Sequence, residues 1–223
     1  MQLEFILVTG ANGAGKTSLI EINRALLEEA GFRIIIPDNI LRDATSLTYS
    51  SAIIMEHIDS ALLARSPFVL ETPFQFDTLV VTLNRIRDAG YTMSMYQVFV
   101  KDEKQSAIRV KDRFQAGGLF INTDQVIANF KANLENIANY YSLFDHSYFI
   151  DNSMNRGMKL AAEFEKKKLM MFRSLNHPYL LNLFNLSAVN GKTQMEALRI
   201  IKKNQVYSAN VVIQKKKGRQ LKF

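Results

Sequence analysis

The stretch Gly10-Ala11-Asn12-Gly13-Ala14-Gly15-Lys16-Thr17 constrains this chain more than any other feature. It follows a short apolar run, Phe5 to Thr9, and opens a helical pattern from about Lys16 to Ala30 that Gly31 stops. A buried strand, a glycine-rich turn and a helix in that order form a βα unit, and such a unit requires a parallel sheet. From average residue usage, Gly, four residues and then Gly-Lys-Ser/Thr arises by chance in a chain of this length with a probability on the order of one in a hundred. The pattern also has a physical purpose. Its glycines let consecutive backbone N–H groups wrap a phosphate, and the helix N-terminus adds positive potential at the same point.

The βα alternation continues along the chain. Arg33 to Ile36 reads as a second strand broken by Pro37-Asp38, and Ser51 to Arg65 reads as a helix with Ile54, Ile58, Ala61 and Leu62 on one face. Pro67 opens a third strand, Phe68 to Glu71. Asp77 is placed to cap a helix that runs to Ala89 and stops at Gly90, before a fourth strand, Thr92 to Val100. Asp102 and Gln105 form a capping-box pattern for a helix to about Gln115, ended by Gly117-Gly118. Asp124 is placed to cap the next helix, to about Tyr141, and Ser147 to Ile150 is a fifth strand. The expectation is an α/β fold: a doubly wound sheet of five mainly parallel strands with helices on both faces, over residues 1 to 155.

Residues 156 to 223 have a different texture. Met158 to Leu175 is helical by periodicity but interrupted by Lys166-Lys167-Lys168, Thr193 to Asn204 reads as a basic helix, and Val211 to Phe223 as a possible strand with further lysines. The formal charge of +7 comes from this region. Residues 1 to 150 hold 13 basic and 17 acidic side chains, a net −4, whereas 151 to 223 hold 15 and 4, a net +11. The reading is a basic, mostly helical C-terminal extension or subdomain of open purpose. Its aromatics, such as Phe164, Phe172 and Tyr179, are spaced like core residues rather than interleaved with the lysines, so nucleic acid is not the expected partner.

Composition removes other chemistries. With no Cys there is no disulfide, zinc-thiolate or iron–sulfur site, and His57, His146 and His177 lack ligand spacing. No apolar run approaches the roughly 18 residues of a membrane helix, and the N-terminus lacks a signal pattern, so the expectation is a soluble, cytoplasmic protein.

The loop implies nucleotide chemistry. Lys16 is suited to bridging β- and γ-phosphates and the Thr17 hydroxyl to ligating Mg²⁺, which makes Gly10 to Ser18 the candidate site for ATP and Mg²⁺. No Leu-Ser-Gly-Gly-Gln or Asn-Lys-x-Asp signature follows, which leaves a small-molecule kinase rather than a transporter-type ATPase or a GTPase. Such an enzyme needs a carboxylate near the acceptor and cations near the moving phosphoryl. Asp38 and Glu71 end predicted strands at the edge where ligands bind in such sheets. Arg109 and Arg113, four apart on one helix face and followed by Gly117-Gly118, resemble the cations of a closing lid.

At this point the sequence resembles the zeta toxin family of P-loop kinases. The resemblance rests on Gly10 to Thr17, on Phe68-Val69-Leu70-Glu71-Thr72, on Arg109 to Gly118 and on Phe149-Ile150-Asp151-Asn152-Ser153, and it spans residues 1 to about 155. It implies transfer of the ATP γ-phosphate to the amino-sugar 3′-hydroxyl of UDP-N-acetylglucosamine, with an antitoxin protein that obstructs the nucleotide site. By position it makes Asp38 the catalytic aspartate, puts Glu71 and Thr72 in the sugar-nucleotide pocket, uses Arg109 or Arg113 to neutralise the transferred phosphate, and sets Asp151 and Asn152 beside the adenine. Three departures stand out: Leu119 follows Gly118 where relatives often have His, Ala128-Asn129 stand where arginines are expected, and Pro73 follows Thr72 in place of a second Thr. Two alternatives remain open on the sequence, a kinase for another small-molecule hydroxyl, and a nucleotide-binding module with a basic partner-binding tail.

Overall fold

The computed structural model describes residues 3–37, 47–118, 120–154, 157–166, 168–172, 179–180 and 183, with the backbone alone for 47–51. Among the described residues seven strands form one sheet: β1 (Glu4–Thr9), β2 (Arg33–Ile35), β3 (Phe68–Thr72), β4 (Thr92–Phe99), β5 (His146–Asp151), β6 (Lys159–Glu165) and β7 (Lys168–Phe172). The helices are α1 (Lys16–Glu29), α2 (Leu47–Leu63), α3 (Leu79–Asp88), α4 (Glu103–Gln115) and α5 (Thr123–Tyr140). The strand order is β2-β3-β1-β4-β5-β6-β7. The first five strands pair in parallel and the last two join antiparallel.

The sheet is buried on both faces, so its central strands are continuous apolar runs. Successive side chains of β1 serve opposite cores: Phe5 and Leu7 pack with Ile58 of α2, Ile86 of α3 and Leu134 and Ile137 of α5, while Ile6 and Val8 pack with Leu19, Ile20 and Leu27 of α1. The connection from β1 to β2 leaves to one side of the sheet and that from β4 to β5 to the other. The loops after β1 and β4 therefore face a crevice at a topological switch point, the usual place for a ligand in such sheets.

The five expected strands are present, and three local expectations are corrected. The region after Met158 is a β-hairpin, not a helix: β6 pairs with β5 and β7 with β6, in registers that set Ala162 opposite Phe172 and Phe164 opposite Leu169. Leu160 and Phe164 are four apart, which is about one helical turn but also two strand repeats, so the spacing fits both periods. Burial of Ala162, Phe164, Leu169 and Phe172 against the sheet decides between them. Lys166 follows β6 with φ +53°, and Lys168 opens β7. The cap of α5 is Asn122, whose Oδ1 accepts from the Asp124 N–H, and Asp124 falls in the first turn. Thr78 rather than Asp77 precedes α3 and makes no side-chain cap bond. Asp102 does cap α4, its Oδ1 accepting from Gln105 N, while Gln105 Oε1 accepts from Lys101 N, one residue before the cap. Tyr179, Leu180 and Leu183 are buried in the core that faces α5. Asp38, Leu119, the expected helix at Thr193 to Asn204 and the expected strand from Val211 lie outside the described residues.

Candidate active site

The phosphate loop starts at Gly10, immediately after Thr9, which is in register with Thr72 of β3 on one side and Gln97 of β4 on the other. A Cβ at Gly10 would run into the Val98 carbonyl, so this position admits only glycine between the strands. The loop then reaches α1, where Gly15 is the N-cap and Lys16 and Thr17 form the first turn. Lys16 and Glu71 are both buried, at 8% and 6% exposure. Lys16 Nζ donates to the Ala11 carbonyl at 3.3 Å and lies 4.0 Å from Glu71 Oε1. The Thr17 hydroxyl donates to Glu71 Oε2 at 2.8 Å. A buried carboxylate is costly unless bonded, and here its partners are the two loop residues that the sequence assigns to phosphate and metal.

A cavity of about 360 Å³ opens over this cluster. Asn12, Lys16, Thr17 and Ser18 line it from the loop side, Glu71, Thr72 and Pro73 from β3 and beyond, and Arg109 and Arg113 from α4. Among the described lining residues three cations thus face one carboxylate, an arrangement that suits a polyphosphate. Thr17 and Glu71 supply hard oxygen donors side by side, a set that fits Mg²⁺. Helix α4 reaches the loop through contact rather than charge: a Cβ at Gly13 would lie 3.1 Å from the Ser106 carbonyl and 3.2 Å from Arg109 Cβ, and the Ser106 hydroxyl donates to the Asn12 carbonyl at 2.5 Å. The arginine helix is seated directly on the phosphate loop.

The fold brings Lys16, Thr17, Glu71, Thr72, Arg109 and Arg113 to one cavity. Asp151 and Asn152 lie elsewhere on the loop: Asn152 Nδ2 donates to the Ala14 carbonyl at 2.8 Å and packs on Gly15, and Asp151 Oδ1 accepts from Ser153 N at 2.8 Å. Gln105 Nε2 donates to the Ser153 carbonyl at 2.7 Å, which fastens the loop after β5 to the start of α4.

Several site residues escaped the sequence reading. Asn129, at the position where a cation was expected, bonds the loop through Asn12 Oδ1 at 2.9 Å. Asn133 Nδ2 donates to the Pro73 carbonyl at 2.6 Å, its Oδ1 accepts from Gln97 Nε2 at 2.7 Å, and Asn136 Nδ2 donates to the Phe74 carbonyl at 3.0 Å. These bonds hold the turn after Thr72, where Phe74 has φ +47°. Gln97 Nε2 also donates to the Tyr179 hydroxyl at 2.7 Å. A signal was present: Gln125, Asn129, Asn133 and Asn136 recur at helical spacing beside the apolar stripe of α5.

No protein-family model matches the sequence, and no curated protein matches it significantly. Solved structures do. A chain from the PezAT chromosomal toxin–antitoxin system of Streptococcus pneumoniae is similar at a TM-score of 0.54 and 15% identity, over 93% of this chain and 88% of that one. A chain from the AvrRxo1-ORF1:-ORF2 structure with ATP is similar at a TM-score of 0.60 and 13% identity, over 93% and 77%. At such identities the likeness shows the fold alone: this chain shares with those chains a mostly parallel α/β sheet with helices on both faces.

Proposed function

We propose that the protein is an ATP-dependent phosphotransferase that moves the γ-phosphoryl of ATP to a hydroxyl of a small molecule, with a nucleotide sugar such as UDP-N-acetylglucosamine as the acceptor. The observation that carries this reading is the convergence of Lys16, Thr17, Glu71, Arg109 and Arg113 on one cavity beside a phosphate loop. A neighbour of the same fold was solved with ATP.

In this reading the loop N–H groups and Lys16 hold the β- and γ-phosphates, and Arg109 and Arg113 balance charge on the transferring group. Thr17 and Glu71 would hold Mg²⁺, which when bound neutralises phosphate charge. Thr72 and Pro73 continue the cavity on the acceptor side. Asp38 follows Pro37, a cavity residue, and is assigned as the base. It takes the acceptor's hydroxyl proton as the new O–P bond forms and the bond to the ADP oxygen breaks. Asp151 and Asn152 are assigned to the adenine side. Neighbours of this fold come from a toxin–antitoxin system and a two-protein complex, which supports an antitoxin partner that covers the nucleotide site.

The test is mass spectrometry of reactions containing Mg²⁺, ATP and UDP-N-acetylglucosamine. The expected product is the sugar nucleotide heavier by one phosphoryl group, formed by the wild type and not by Asp38→Asn, which still binds ATP. Undiminished turnover in Asp38→Asn removes the assigned base. Transfer only to other hydroxyl compounds in a parallel acceptor panel replaces the acceptor while leaving the nucleotide half of the proposal standing.

A further inference from the structure

Asn12 is held at two points. Its backbone carbonyl accepts from the Ser106 hydroxyl of α4, and its side-chain Oδ1 accepts from Asn129 Nδ2 of α5 at 2.9 Å. Asn129 is buried, at 7% exposure, and its own Oδ1 accepts from Gln125 Nε2, one turn earlier on the helix, at 2.7 Å. Three carboxamides therefore run in one direction, each nitrogen donating to the next oxygen. The last nitrogen in the series is Asn12 Nδ2, on a residue that lines the phosphate cavity together with Arg109 and Arg113.

The direction of that series matters chemically. A carboxamide offers an acceptor at one end and two donors at the other, and a phosphate oxygen is compatible only with the donors. With Oδ1 engaged by Asn129, Asn12 has its nitrogen available for a ligand. Position along the loop selects the phosphate. Gly15 lines the same cavity but has Asn152 and Met158 packed against it, whereas the Asn12 end is bonded to α4, the helix that brings Arg109 and Arg113 to where charge moves during transfer. We propose that Asn129 is a positioning residue, which with Gln125 turns the Asn12 carboxamide so that its Nδ2 donates to the γ-phosphoryl group. A neutral donor so fixed adds to the arginines without a further buried charge. The inference rests on the kinase reading above.

The experiment is calorimetric titration of Mg²⁺-ATP and Mg²⁺-ADP into the wild type, Asn12→Ala, Asn129→Leu and the double variant. A hydrogen bond to a charged acceptor corresponds to about a tenfold change in affinity, so each single variant should lose about tenfold in its preference for ATP over ADP. Affinity for ADP should stay level. The double variant should lose no more than either single one, because both changes remove the same bond. An unchanged preference overturns the proposal, as does an equal fall for ATP and ADP, the mark of a merely structural role, or additive losses in the double variant. Should Asn129→Leu fail to fold, Asn12→Ala decides alone. A wild type that binds neither nucleotide overturns the kinase reading and this inference with it, whereas ATP binding with no change of preference in the variants overturns this inference only.

Discussion

Gly13 shows how one residue answers to two demands. Its φ of +73° is a conformation that costs a residue with a Cβ about 1–2 kcal/mol, and the space a Cβ would fill is closed by Ser106, Arg109 and Val110 of α4. Gly13→Ala should therefore lower stability by about 2 kcal/mol in denaturant unfolding and weaken ATP binding, because α4 must shift and take Arg109 with it. Glu71 answers to a different constraint. It is bonded to Thr17 and close to Lys16, so Glu71→Gln keeps the shape and removes the charge. Turnover should fall about 100-fold and the Mg²⁺ concentration needed for half-maximal rate should rise, while calorimetric ATP affinity changes little. A variant with wild-type Mg²⁺ dependence would detach Glu71 from the metal.

Helix α5 and the β6–β7 hairpin differ in how well the sequence describes them. The apolar stripe of α5 was legible, because Phe130, Leu134, Ile137 and Ala138 recur at helical spacing and are buried. Its polar function was not, because asparagines on a helix ordinarily face water, and the partners of Asn133 and Asn136 come from β4 and the loop after β3, far away in the sequence. The hairpin was misread as a helix because its apolar spacing fits both periods, and the deciding fact, an open edge on β5, belongs to the sheet rather than the segment. Asn133→Leu removes one of the two acceptors of the buried Gln97 amide and the donor to the half-buried Pro73 carbonyl, at about 1–3 kcal/mol each. Urea unfolding should register a loss of about 2–4 kcal/mol, and the acceptor KM should rise more than the ATP KM as the turn after Thr72 loosens.

Across the molecule, the five strands, the doubly wound class and the phosphate loop could be read from alternation and glycine placement, because strands, turns and helix starts are local, whereas the order β2-β3-β1-β4-β5 is set by contacts between distant segments. The union of Glu71, Arg109 and Arg113 over one cavity is a product of that order, which sets β3 beside β1 and lays α4 on the loop. The core also includes Tyr179, stacked on Phe99 at 4.5 Å and bonded by Gln97. Burial pushes its phenol well above the ordinary tyrosine range, and burial raises Tyr91 and Tyr141 as well. A raised folded-state pKa means that the proton is held more tightly in the folded chain. The associated stability is complete below about pH 10, the unfolded tyrosine value, and drains away above it by up to about 1.4 kcal/mol per pH unit for each group. Tyr179→Phe should flatten the alkaline limb of the stability profile by one such group while costing about 1 kcal/mol at neutral pH.

Phosphoryl transfer itself is the central claim, and ³¹P NMR of Mg²⁺-ATP with an acceptor panel, wild type against Lys16→Ala, follows it directly. The wild type should convert the γ-phosphate resonance into a phosphomonoester resonance with matching ADP, and Lys16→Ala should do so about 100-fold more slowly or less. Equal rates in the two proteins, or ATP left intact with every acceptor, would contradict the account.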